Sequence, residues 1–224
     1  MKLFIDSVDL DEIKQVADWG LLGGVTTNPT LMAKKVSGTA GNEGLQEQKK
    51  LLADICKIAK VDVLAEPLSA EYDGIMKESL KLAAISPQIV AKLPMTPDSV
   101  KAVGALKKKK IKTALTLVFS PAQALVAAVA GADYICPFVG RLDDIGQNGL
   151  DMISEIQQIY KNYQFRTEVI VVSVRNNAHV LGSAKHGAAA VSIPFKVFKE
   201  LFKHDLTDAG IKKFLEDWSK VSQK

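Results

Sequence analysis

The chain has 224 residues, of which 47% are hydrophobic and 24% charged, with a net charge of +4 and a sequence pI near 8.9. This length suits one domain with a sizeable core, although length alone leaves room for two small ones. The composition is ordinary for a soluble globular protein. The basic excess is scattered except for Lys107–Lys110, which follows an apolar helical stripe. Lysines in a helix's last turn complement its dipole, and neither interleaved aromatics nor a known module accompanies the run, so no nucleic-acid partner is expected. Cys56 and Cys136 form no disulfide framework, and no run reaches the length of a membrane span or of a secretory core. The expectation is a cytoplasmic protein with no membrane partner.

In chain order, short β-like runs appear at 2–7, 23–28, 61–67, 89–94, 111–118, 133–139, 168–174 and 188–194. Amphipathic helical patterns fall between them, including 9–20, 42–60, 69–85, 96–110 and 120–132. Thr96-Pro97 and Ser120-Pro121 read as an N-cap followed by a first-turn proline. Gly20 and Gly131 stand where helix ends favour a left-handed residue. Stretch 34–44 is the one loop-rich segment, and nothing linker-like divides residues 1–224. Eight strands alternating with helices predict an α/β fold, a compact (β/α)8 TIM barrel. A doubly wound open sheet is the rival, weakened because no glycine-rich phosphate fingerprint follows any strand. The helical segment from about 207 to 221 is not needed to close a barrel and is expected to pack outside it or on a neighbouring subunit.

Barrel chemistry sits at the C-terminal ends of the strands. Seven of the eight predicted strands carry polar groups there: Asp6; Thr26, Thr27 and Asn28; Glu66; Lys92; Thr116; Cys136 with Arg141 beyond; and Ser173 with Arg175. The eighth ends in a plain Ser-Ile-Pro-Phe. Lys92 alone reads as a lysine whose ammonium snorkels to water. Beside converging Asp6 and Glu66 the reading turns, because desolvation favours the neutral amine, which attacks a carbonyl to form a Schiff base. Asp6 is not needed as a helix cap, since Ser7 and Asp9 are better placed. Two carboxylates supply the proton donor and acceptor that such chemistry uses. Three of the 29 Lys and Arg residues are arginines, and two of them, Arg141 and Arg175, follow strand ends. Their planar forks fit phosphate, with solvated surface arginines the bland alternative. His179, His186 and His204 are expected away from the mouth. No metal-ligand spacing is present, and Cys136 reads as a small buried strand residue.

The segments FIDS, GVTTNPTLMAK, VAKLPMTPDSVKAVGAL, TLVFSPAQALVAAVAGADYICPFVGRLDDIG, SVRNNAHVLGSAKHGAAAVSIPFKV and LTDAGIKKFLEDW closely resemble the transaldolase family. The closest match is to its short, bacterial-type branch, which includes fructose-6-phosphate aldolases, and it covers essentially the whole chain. The resemblance implies a (β/α)8 barrel and a cofactor-free reaction. A dihydroxyacetone unit would move from a ketose phosphate, sedoheptulose 7-phosphate or fructose 6-phosphate, to an aldose phosphate in the pentose phosphate pathway. It puts Lys92 at the Schiff-base lysine, Asp6 at the acid/base aspartate, and Glu66 with Thr116 where a glutamate and a threonine position a proton-relaying water. Thr26, Asn28, Cys136, Phe138, Arg141, Ser173 and Arg175 fall among substrate-binding positions, the last three being the phosphate-binding group. It further implies a homo-oligomer, pentamer or decamer, with the C-terminal helix reaching a neighbour.

Fructose-6-phosphate aldolases resemble this chain but carry glutamine at position 66 and tyrosine at 138, so Glu66 and Phe138 favour transaldolase. Cys136 departs from the family's usual serine and offers a weaker hydrogen-bonding group. Two alternatives stand beside the main reading: a fructose-6-phosphate aldolase, and a non-catalytic barrel that binds sugar phosphates.

Overall fold

A computed structural model describes residues 1–36 and 42–221. Residues 37–41 of the loop-rich stretch 34–44, like residues 222–224, lie outside the described residues. Eight strands are present: β1 (Lys2–Asp6), β2 (Leu22–Thr26), β3 (Val63–Ala65), β4 (Ile89–Pro94), β5 (Thr113–Val118), β6 (Tyr134–Pro137), β7 (Glu168–Val171) and β8 (Ala190–Ile193). Each pairs in parallel with its sequence neighbour, and β8 closes on β1. The fold is a closed (β/α)8 barrel, and every predicted strand is found, most of them shortened at the ends.

Among the described residues the helices are α1 (Leu10–Asp18), α2 (Pro29–Lys35), α3 (Asn42–Ala59), α4 (Tyr72–Ala83), α5 (Pro97–Lys108), α6 (Pro121–Ala130), α7 (Val139–Asp143), α8 (Gly149–Tyr163), α9 (Asn177–Lys185), α10 (Phe195–Glu200) and α11 (Asp205–Val221). Local chemistry sets their ends. Asp9 caps α1, accepting from the N–H groups of Asp11 and Glu12, which leaves Asp6 unused as a cap. Thr96 and Ser120 cap α5 and α6 ahead of their first-turn prolines. Gly131 ends α6 at φ +81°.

Two apolar layers hold the barrel. Outside it, residues such as Ile5, Val25, Leu93, Leu115 and Ile135 pack against the helices. Inside it, Phe4, Leu64, Val90, Ala114, Tyr134, Ile170 and Ala190 fill the lumen. The period of two along a strand separates the two sets. Gly24 belongs to the lumen set by its register with Phe4, and a Cβ there would collide with the Phe4 ring, so glycine makes room for that ring. Burying side chains such as Phe4, Leu64, Val90 and Ile170 is worth roughly 1.5–3 kcal/mol each, and together they make the lumen a packed floor rather than a channel.

Helix α11 departs from this economy. It has no buried residue, and Ile211, Phe214, Leu215 and Trp218 form an exposed stripe at helical spacing.

Candidate functional site

Two residues beyond the lumen floor, the same alternation lifts a second ring of side chains toward the C-terminal mouth. Asp6 follows Phe4, Thr26 follows Gly24, and Glu66 follows Leu64. Lys92 follows Val90, Thr116 follows Ala114, Cys136 follows Tyr134, and Ser192 follows Ala190. An apolar floor therefore carries a polar ceiling.

Lys92 is 4% exposed, and its strand neighbours Ile89, Val90 and Leu93 are buried. Its Nζ donates to the Thr27 carbonyl at 2.7 Å and lies 2.7 Å from Glu66 Oε1. A buried ammonium is tolerated only when paired and hydrogen-bonded, and these two contacts meet that requirement. Glu66 stands one residue past β3, where the chain turns into Pro67. The opposite carboxylate, Asp6, is half-buried at the end of β1, and its Oδ1 accepts from Thr26 Oγ1 at 3.0 Å. Burial raises the Asp6 carboxyl above its ordinary value; the Lys92 charge and the Thr26 hydrogen bond pull the other way and do not cancel it. Thr26 Oγ1 also lies 2.5 Å from Ser192 Oγ, so three strands meet through one hydroxyl.

Thr116 Oγ1 is buried with no hydrogen-bond partner among the described residues. The strand is irregular just beyond it: pairing with β6 shifts between Thr116 and Val118, and Leu117 adopts φ +59°. Cys136 is fully buried. Burial pushes its thiol up to about 12, against the opposing pull of Lys92, so it stays protonated and is no nucleophile. Asn28 uses its side-chain oxygen to cap α2, accepting from Leu31 N–H at 2.9 Å, which leaves its NH2 as the group it can present.

A second cluster lies across the mouth, past β6 and β7. The Arg141 guanidinium sits 4.8 Å from the centroid of the Phe138 ring, which packs on Phe119. Ser173 adopts φ +62°, a sparsely populated region for a residue with a Cβ, and its carbonyl accepts from Gly140 N–H at 3.1 Å. A Cβ on Gly140 would collide with that carbonyl and lie 2.8 Å from Arg175 Nε, so Gly140 makes the space in which Arg175 lies. Arg175 Nη2 bonds Asp144 Oδ2 at 2.7 Å on the exposed rim.

Two residues here escaped the sequence reading. Ser192, passed over in a plain strand eight, meets Thr26, which in turn bonds Asp6; only the pairing of β8 with β1, in register with Phe4, brings it there. His179, expected away from the mouth, is corrected by the structure. It is 6% exposed, and its Nδ1 accepts the Arg175 backbone N–H at 3.2 Å. The first turn of α9 curls it back under the arginine.

Fold and site define a parallel (β/α)8-barrel protein with a buried lysine between carboxylates at the C-terminal mouth. Residues 3–224 match the family described as transaldolase/fructose-6-phosphate aldolase, and the chain belongs to that family. A probable transaldolase of Caldicellulosiruptor saccharolyticus is 49% identical, with all of both chains covered. One of Citrifermentans bemidjiense is 52% identical over 99% of each, and one of Aquifex aeolicus 48% identical over 100% of this chain and 99% of its own. A solved thiamine phosphate pyrophosphorylase of Pyrococcus furiosus is similar in fold alone, with TM-score 0.57 and 15% identity over 86% of this chain and 85% of its own.

Proposed function

We propose that the protein is a transaldolase that works through a Schiff base on Lys92, carrying dihydroxyacetone from a ketose phosphate such as fructose 6-phosphate or sedoheptulose 7-phosphate to an aldose phosphate. The observation that carries this reading is the buried Lys92 held 2.7 Å from Glu66 with Asp6 in the same ring. No resident cofactor enters the proposal.

Glu66 is in place to take a proton from Lys92, leaving the neutral amine to attack the ketose C2. The carbinolamine loses water to give an iminium. Cleavage of C3–C4 sends its electron pair into the iminium, forming an enamine, while the C4 hydroxyl proton passes to the Asp6 carboxylate and the aldose leaves. The enamine carbon then attacks the acceptor aldehyde, whose oxygen takes that proton back. Water, oriented by Glu66 and Thr116, hydrolyses the new iminium. A carboxyl held above its ordinary value suits a group that must both gain and return a proton. The unpartnered Thr116 hydroxyl supports its role as a water-orienting group.

Thr26, Asn28 and Cys136 line the sugar end, and Arg141, Ser173 and Arg175 take the phosphate. Phe138 gives its ring face to Arg141 and offers no phenol, and Glu66 supplies a carboxylate that pairs with Lys92. Both favour transfer over release of free dihydroxyacetone. The apolar stripe of α11 is read as packing on a second copy of the chain, which makes the working unit a homo-oligomer formed from single-domain protomers.

The test is borohydride trapping with fructose 6-phosphate, followed by intact mass and peptide mapping. A reduced dihydroxyacetone adduct on the peptide holding Lys92 is expected. Free dihydroxyacetone released without an acceptor would move the assignment to aldolase. An unmodified Lys92 with both fructose 6-phosphate and sedoheptulose 7-phosphate would overturn the Schiff-base reading and favour a barrel that only binds sugar phosphates.

A further inference from the structure

We infer that His179 is a positioning residue for phosphate recognition, locked by Asp143 in the tautomer that holds the Arg175 backbone; this rests on the reading of Arg175 as a phosphate ligand. His179 Nδ1 faces the Arg175 N–H at 3.2 Å. A backbone N–H can only donate, so Nδ1 presents its lone pair and the ring proton is on Nε2. That Nε2–H donates to Asp143 Oδ2 at 2.7 Å. The other carboxylate oxygen, Oδ1, accepts from Gly149 N–H at 2.9 Å, which ties the relay to the start of α8.

The ring itself is clamped. Asn176 accepts the His179 backbone N–H, and the His179 carbonyl accepts from Ser183 Oγ. Arg175 is thus held at both ends by consecutive aspartates: its backbone through Asp143 and His179, its guanidinium directly by Asp144 at the open rim. Only the outer contact has to exchange for a phosphate, while the inner one keeps the arginine's starting point fixed. A carboxylate orienting an imidazole through one nitrogen so that the other serves as acceptor is a general way of setting a histidine's role.

Asp143→Asn separates this tautomer lock from simple packing. An asparagine amide facing Nε2 as a donor drives the ring proton to Nδ1, where it opposes the Arg175 N–H, with no change in side-chain volume. Both Asp143→Asn and His179→Ala are expected to raise KM for fructose 6-phosphate and Ki for inorganic phosphate about tenfold, the effect of one lost hydrogen bond. Their kcat, and kcat/KM with unphosphorylated fructose, are expected to stay at the parent value. His179→Asn, whose Oδ1 can stand where Nδ1 does, restores most of the phosphate affinity. Imidazole ¹⁵N spectra of the parent should show the His179 proton on Nε2.

A proton on Nδ1 in the parent, or equal losses with phosphorylated and unphosphorylated substrate, would overturn the inference while leaving the Lys92 adduct, and with it the proposed reaction, intact. If Arg175→Ala shows no preference between the two substrates, the phosphate reading and this inference fall together. Should His179→Ala not fold, Asp143→Asn and His179→Asn still decide the matter.

Discussion

Lys92 Nζ lies 2.7 Å from Glu66 Oε1, with 5% and 15% of the two side chains exposed, and the same ammonium donates to the Thr27 carbonyl. The pair is asymmetric: Glu66 is the more exposed partner, whereas Lys92 is almost wholly buried. Glu66→Gln therefore leaves a buried cation that leans on Asp6 and a carbonyl. We expect it to lower unfolding free energy by about 1–3 kcal/mol and to slow transfer sharply. Urea titration beside a coupled transfer assay would check both, and unchanged stability would show that Asp6 alone balances the lysine.

Lys92→Met and Asp6→Asn should respond to pH with opposite signs. The fold raises the Asp6 carboxyl above its ordinary value of 3.8, so the unfolded chain gives up that proton first. Stability attached to Asp6 is therefore present below that value and is lost as pH rises toward the folded pKa. Asp6→Asn removes the loss, so its stability relative to the parent should improve as pH rises through this window and stay flat below it. Lys92→Met takes away the charge that restrains the shift, so it should weaken progressively over the same window. Both variants are expected to lack activity. Denaturation curves at pH 4 and pH 8 decide the matter, and parallel pH responses would contradict it.

Asp144→Asn frees the guanidinium of Arg175 from a rim contact in which both side chains are more than half exposed. The stability change should stay within about 1 kcal/mol. If Arg175 takes the substrate phosphate as proposed, Asp144 competes for the same Nη2, and KM for fructose 6-phosphate should fall by a few-fold, about twofold to fivefold if the contact has the usual surface strength. A rise in KM would mean that Asp144 assists binding.

Gly140→Ala is expected to damage fold and binding together. Its new methyl meets the Ser173 carbonyl and the Arg175 side chain, and the first of these is backbone that cannot move aside cheaply. A loss of about 1–3 kcal/mol is expected from overpacking, with a raised KM for phosphorylated substrate. Thermal unfolding and KM measured on one preparation would test this.

The free thiols give a further expectation. Cys56 and Cys136 are both buried, and burial pushes both thiols up. Neither should react with an aromatic disulfide reagent in the native protein, and both should react in urea. Rapid native labelling at Cys136 would show that the lumen opens.

What could be read in advance follows from how local each signal was. The β-like runs and capping pairs are neighbour effects within a few residues, so the barrel and the caps of α5 and α6 were visible. Lys92 was visible because a charge in an apolar run is incongruous wherever it sits. Ser192 was not, since serine is unremarked in a strand and only the pairing of β8 with β1 gives it Thr26 as a partner. His179 was missed because its role depends on a helix turning it back toward Arg175, together with an aspartate on α7 more than thirty residues earlier.

The ring of Asp6, Thr26, Glu66, Lys92, Thr116, Cys136 and Ser192 stands on one face of the sheet by a period of two. A strand that closed the barrel one residue out of step would turn its member of this ring toward the helices and an apolar neighbour into the mouth. Because the sheet has no free edge, such an error cannot be absorbed locally. On the proposed reading, activity thus reports on assembly: a molecule that turns over has paired the seven strands that supply this ring in step.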